Sequence, residues 1–236
     1  MQNAILRVTL KTPVAIGRNG LSLSVLDALV FDRLVLMHGG DEDAAMKDMA
    51  LVLDRIDDHV WACGGGYYNR GLHGSLPWRR LVFRKMTADR HLQSMAEDLC
   101  GITPERWPYE VSNLFGQQVL AMQFTQRFVN TPEILFRMRG NPEAIARLLQ
   151  VRDYLGPGHA IGFGQIESVE WDIVENVDDA WLLLDPDGRL TRPIPAALQP
   201  LLDASKTALV SEPVRCNPPY WRGNTEPGFR PVPIGL

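Results

Sequence analysis

Cysteine is scarce in this chain and has no pattern. The 236 residues hold three, Cys63, Cys100 and Cys216, with no close spacing. An odd, scattered set excludes a disulfide framework and a zinc ribbon, and predicts free, inert thiols in a reducing cytoplasm. The five histidines, His38, His59, His73, His91 and His159, form no His-x-x-x-His frame. No metal and no cofactor is therefore expected. Long apolar runs are also missing. None reaches the roughly 18 residues that a membrane span needs, and the longest, over residues 29–37, is broken by Asp32 and Arg33. The start MQNAILRVTL has no basic region leading into an apolar core, so it reads as mature chain rather than a signal peptide. No internal repeat, Gly-x-Ser-x-Gly elbow or kinase set is present.

Positive charge is not in excess, since the formal net charge is −4. That weighs against non-specific DNA binding, but the distribution is uneven. Residues 69–92 carry Arg70, Arg79, Arg80, Arg84, Lys85 and Arg90 against Asp89 alone. Residues 41–58 carry seven acids and two bases, and residues 167–187 eight acids and no base. One surface is thus expected to be basic and others acidic, as in a subunit that holds nucleic acid on one side.

Alternation predicts a strand at 4–10. Helical spacing predicts helices at 21–37, capped by Ser22 or Ser24 and stopped by Gly39-Gly40, and at 43–56. A short strand at 60–63 runs into Gly64-Gly65-Gly66. Residues 69–108 read as a basic, irregular excursion with a short strand at 81–83. A hairpin arm fits 119–129 and a strand 134–138. Asn141 and Pro142 then start a helix that ends at Gly156-Pro157-Gly158. Strands follow at 166–173 and 180–184, then a turn at Asp187-Gly188. Beyond Leu209 an irregular, proline-rich tail is expected. With the insertion removed, this order is that of an α+β, ferredoxin-like (RRM-type) βαββαβ domain. The chain is then one domain over 1–236, with core at 1–68 and 130–175, basic insertion at 69–129, and C-terminal strands and tail at 176–236.

Four glycines crowd the stretch Gly156-Pro157-Gly158-His159-Ala160-Ile161-Gly162-Phe163-Gly164. No Gly-Lys-Ser/Thr follows, so it is not a P-loop. It runs from helix to strand, the reverse of a dinucleotide turn. Two readings remain: a loop whose bare backbone meets RNA, and a helix cap followed by a bulged strand start. Arg70, Arg79, Arg80, Arg84 and Lys85 suit phosphates, or else form a solvated face. Tyr67 and Tyr68 suit stacking on bases, or else half-buried packing. Arg139, at a strand end, joins the candidate RNA contacts. His73, near Arg79 and Arg80, and His159, in the loop, can be cast as the base of a metal-independent ribonuclease, although a lone histidine is more often a hydrogen-bonded surface or core residue. Tyr220, Trp221 and Arg222 in the tail resemble an interface anchor, or else fold back on their own domain.

Five stretches carry a family resemblance: Leu23-Ser24-Val25-Leu26-Asp27-Ala28-Leu29, the Gly-rich loop, and the runs 134–141, 188–195 and Pro218-Pro219-Tyr220-Trp221. They resemble the repeat-associated (RAMP) proteins of CRISPR systems, and among those the Cas-five-type subunit of type IV complexes. The resemblance implies that the Leu-Asp-Ala-Leu segment opens the first helix of a ferredoxin-like domain and that the loop joins its second helix to its fourth strand. It further implies a non-catalytic, cytoplasmic subunit of an antiviral ribonucleoprotein. Such a subunit binds the 5′ handle of the guide RNA, caps a filament of backbone subunits and sits beside the large subunit near the target DNA. Target sequence is then read by guide pairing. The two alternatives are a metal-independent endoribonuclease acting on precursor guide RNA and a protein scaffold without RNA contact.

Overall fold

A computed structural model describes residues 1–16, 24–82, 120–156, 162–202, 209–220 and 225–231, with backbone alone at 73, 75–82 and 120–126. The chain divides into two compact units, Met1–Ser75 with Arg127–Leu236, and Leu76–Gln126.

Strand β1 (Gln2–Leu10) alternates as its sequence dictates: Ala4, Leu6 and Val8 are fully buried while Arg7 is exposed. It pairs antiparallel with β7 (Glu133–Gly140) on one side and β8 (Ile166–Ile173) on the other. Beyond β7 the chain after β4 (Val60–Trp61) forms a fourth, irregular row. Cys63 bridges Met138, Tyr67 bridges Leu135, and the Arg139 N–H donates to the Ala62 carbonyl at 2.7 Å. The order across the sheet is therefore residues 62–67, β7, β1, β8, each row antiparallel to the next.

One face of this sheet is covered by α1 (Leu26–Met37), α2 (Glu42–Val52) and α3 (Pro142–Val151). Leu26, Val30, Phe31 and Leu34 of α1, Met49 of α2, and Ile145 and Leu149 of α3 share one core with Leu6, Val8, Phe136 and Met138 of the sheet. α3 starts as expected, with the Asn141 side chain accepting the Ala144 N–H at 3.1 Å and Pro142 in the first turn. α2 starts on Asp41, whose carboxylate accepts from Asp43 and Ala44 N–H. It stops at Val52, because residues Arg55–Ile56 leave it as a short strand, β3, paired with β4. α1 has no side-chain cap, and the expected Ser24 lies outside it. Its first N–H, of Leu26, donates instead to the Gly64 carbonyl at 3.2 Å.

A second core lies beside residues 56–62, built by α4 (Asp179–Leu183), β9 (Ile194–Pro195), the 3-10 turn Ala196–Leu201, β10 (Leu209–Val214) and β11 (Glu226–Pro231). Two expectations change here. The apolar run at 180–184 is helical, because Asp178 caps it by accepting the Trp181 N–H at 2.9 Å. The tail is not irregular, since β10 and β11 pair over six residues and β9 adds to β11. The glycines after Cys63 let this layer approach: a Cβ on Gly65 would collide with the Thr191 carbonyl. The basic stretch also differs from expectation. Leu72–Val82 forms one long strand, β5, in a sheet ordered β2 (Val14–Ala15), β6 (Leu120–Asn130), β5.

Gly164 is held at φ +72°, and a Cβ there would strike the Leu155 carbonyl. Gly164→Ala is expected to destabilise the protein by about 2 kcal/mol or more, the sum of left-handed strain and displaced backbone. Gly162→Ala, where a Cβ meets nothing within 4 Å, should cost only about 1 kcal/mol. Urea denaturation midpoints of the two variants check the difference.

Candidate functional site

The first constellation is the turn between α3 and β8. Its stem is closed by backbone bonds, Leu155 N–H to the Gly164 carbonyl and Ile166 N–H to the Asp153 carbonyl, both at 2.7 Å. It is tied to the end of β1 by Gly164 N–H donating to the Pro13 carbonyl at 2.7 Å and Gln165 N–H donating to Thr12 Oγ1 at 2.9 Å. Tyr154, at the stem, sits among two guanidinium groups. Arg33 donates to its carbonyl at 2.7 Å and lies 5.4 Å over its ring, while Arg152 donates to its hydroxyl at 2.8 Å. Asp32 pairs with Arg33 and, at 3.5 Å, with Arg152. Of the two guanidinium groups Arg152 is the solvent-accessible one, at 31% against 3% for Arg33, and Asp32 and the exposed Asp153 match the two cations in number.

The sequence candidates are distributed unevenly around this turn. Gly156 and Gly162 both adopt positive φ, and residues 157–161, with Gly158 and His159, lie outside the described residues. Phe163 is buried and packs on Phe128 with ring centroids 5.6 Å apart, so its ring belongs to the core rather than to a stacking platform. Tyr67 is buried too, with the Arg137 guanidinium 5.5 Å from its ring. Of its two readings the packing one fits, and half-buried Tyr68 packs against the first core in the same way. Arg70 is exposed. Arg79 and Arg80 lie on β5 with side chains outside the described residues, as do Arg84, Lys85, Trp221 and Arg222 entirely, and the His73 side chain. Arg139 is committed elsewhere. It donates to Asp54 at 2.8 Å and Asp179 at 2.5 Å, which hold its pKa above the ordinary value against the cost of burial, so it is neutralised where a phosphate contact was expected.

The second constellation was not singled out as a site. Asp27, in the first turn of α1, and Arg192 have side chains 0% exposed and meet at 2.9 Å. Arg192 Nη1 donates to the Trp61 and Cys63 carbonyls, each at 3.0 Å. Its Nη2 also donates to the Cys216 carbonyl and, at 3.1 Å, to the Tyr220 hydroxyl. That hydroxyl lies 2.8 and 2.9 Å from the two Asp27 oxygens. Tyr220, expected at a protein interface, is thus turned inward. Burial raises the pKa of Asp27, with Arg192 and Tyr220 opposing it. Burial also works against the guanidinium charge, but Asp27 beside it raises the Arg192 pKa overall. Burial pushes the Cys216 thiol up to about 12 and the Cys63 thiol further still. Donors and acceptors here are spent on one another, which is the chemistry of a structural clamp. The signal in the sequence was Asp27 itself, an acid flanked by Leu26, Ala28 and Leu29, because a carboxylate in a buried helix face demands a cation.

Among the described residues no group of three or more His, Cys, Asp or Glu side chains is placed to hold a metal. No described helix is long and apolar enough to cross a membrane. No protein-family model matches the chain, and no curated protein matches it.

Breaking the clamp on one side strands a buried charge. Arg192→Met and Asp27→Asn should each destabilise the fold by about 3–5 kcal/mol, and the double variant by clearly less than their sum. Urea unfolding of the four proteins closes the cycle, and additive losses would contradict a coupled pair. In a Cys100→Ser background, Cys63 and Cys216 should resist a chromogenic disulfide reagent in native buffer and react fully in guanidinium chloride.

Proposed function

We propose that this chain is a non-catalytic RNA-binding subunit of a CRISPR ribonucleoprotein, of the Cas-five type found in type IV systems. The observation that carries the proposal is the place of the glycine-rich turn. It follows α3, the last of the three helices on the sheet, and precedes the outer strand β8. On this reading the row order 62–67, β7, β1, β8, with α1 and α3 on one face, is a ferredoxin-like βαββαβ domain. On the same reading, the compact unit of residues 76–126 falls within the basic insertion at 69–129. A second support is convergence. Asp27, Arg192 and Tyr220 come from three of the five stretches that carry the family resemblance, and they meet in one cluster.

The ligand is the repeat-derived 5′ handle of the guide RNA, lying along the backbone at Gly162 with Arg152 near by; Arg79, Arg80 and Arg84 of the basic stretch are separate candidates for phosphate contacts. The protein partners are the backbone and large subunits in the cytoplasm, with target DNA nearby. Sequence recognition falls to the guide.

Handle RNA should bind with an affinity that falls by roughly 0.7 log units per log unit of salt for each phosphate neutralised. Reversing Arg79, Arg80 and Arg84 together to Glu should weaken binding about tenfold or more and flatten that slope. Electrophoretic shifts at several salt concentrations measure both. Precursor guide RNA incubated with the protein in EDTA should stay intact. Cleavage that disappears in His73→Ala or His159→Ala would replace this reading with the ribonuclease one.

A further inference from the structure

The outer strand β8 is two-faced in a way that the fold does not use. Register against β1 assigns the faces: Val169 lies opposite Val8, Trp171 opposite Leu6 and Ile173 opposite Ala4, on the helix-covered side. Yet Trp171 is 39% and Ile173 47% exposed. On the other side Ser168 lies opposite Thr9, Glu170 opposite Arg7 and Asp172 opposite Ile5. Glu170 is exposed, and Asp172, although it takes Arg7 at 3.2 Å, remains 69% exposed. The first residue of β8, Ile166, meets Asp153 through its N–H. From there on, no strand among the described residues pairs with the outer edge of β8.

An unpaired edge offers main-chain donors and acceptors to any extended chain. Its side chains decide which chain. The acidic row repels RNA phosphates. A second copy is also disfavoured, because antiparallel β8–β8 pairing would set Glu170 and Asp172 against their own kind. A strand with alternating basic and apolar residues satisfies both faces, placing cations beside Glu170 and Asp172 and apolar groups beside Trp171 and Ile173.

We propose that the free edge of β8 is a docking strand for another protein, which adds an extended segment of alternating Lys or Arg and aliphatic residues to this sheet. The inference stands apart from the RNA reading, since it concerns the opposite charge and a different element.

The probe is a labelled peptide of alternating Lys and Val, eight residues long, with a Glu–Val peptide and a composition-matched scrambled Lys–Val peptide as controls. Fluorescence anisotropy should show binding of the alternating basic peptide at least about tenfold tighter than either control, weakened by salt. Amide exchange should slow over 167–173 and nowhere else in the first unit. Glu170→Lys with Asp172→Lys should invert the preference toward the Glu–Val peptide. Trp171→Ser should weaken the basic peptide in protein that amide exchange shows to be still folded, although losing a ring only 39% exposed lowers the urea midpoint. Equal binding of ordered and scrambled peptides, protection outside 167–173, a preference that survives the charge reversal, or dimerisation of the free protein through this edge would each overturn the proposal.

Discussion

The pair between Asp27 and Arg192 is the constraint on which both cores hang. Each ion would cost several kcal/mol to bury alone, and the solution is distributed. The guanidinium fork serves Asp27 and also the carbonyls of Trp61, Cys63 and Cys216. Those carbonyls belong to the glycine-broken row beside β7 and to the chain that follows β10. The helix layer, the sheet edge and the C-terminal layer therefore meet on one planar cation, which sets where each can lie. Thr191, next to it, repeats the logic on a smaller scale: its hydroxyl accepts the Gly65 N–H at 3.0 Å and donates to the Leu183 carbonyl at 2.9 Å. Lysine at 192 would offer three donors from a single point and leave part of this set unmet.

What was legible in the sequence was local. β1 showed alternation from Leu6 to Leu10 and α3 announced its start through Asn141 and Pro142, so that strand and that helix start lie where the pattern puts them, whereas α3 stops at Val151 instead of running on to Gly156. Residues 180–184 were misread because a five-residue apolar run has no period of its own. The deciding signal was Asp178, just before it. The last strands were hidden by proline. Pro213 and Pro227 stand opposite each other in the β10–β11 pair, and a proline inside a run argues against a strand when no partner is known.

The candidate site was legible in part, for a related reason. Spacing marked the glycine-rich turn, but burial divides its members: Gly164 and Phe163 serve packing, Gly156 lies close to the Ala15 carbonyl, and Gly162 leaves backbone open. Arg139 looked like any exposed arginine at a strand end, and only the fold brings Asp54 and Asp179 to it. Long-range pairing of charges leaves no trace in a linear pattern, whereas an acid inside an apolar helix face does. Asp27 was visible as a problem even though Arg192 was not visible as its answer.

The separation of the two partners has a consequence for how the protein is made. Asp27 and Arg192 are 165 positions apart, and at 5–20 residues per second a ribosome needs roughly 8–33 s to deliver the second after the first. Throughout that interval the nascent helix α1 carries a carboxylate on the face meant for the interior, with no cation to accompany it there. The N-terminal half is thereby discouraged from collapsing early around a core that the C-terminal layer must still enter. A buried place for that carboxylate is complete only once Arg192 has been made.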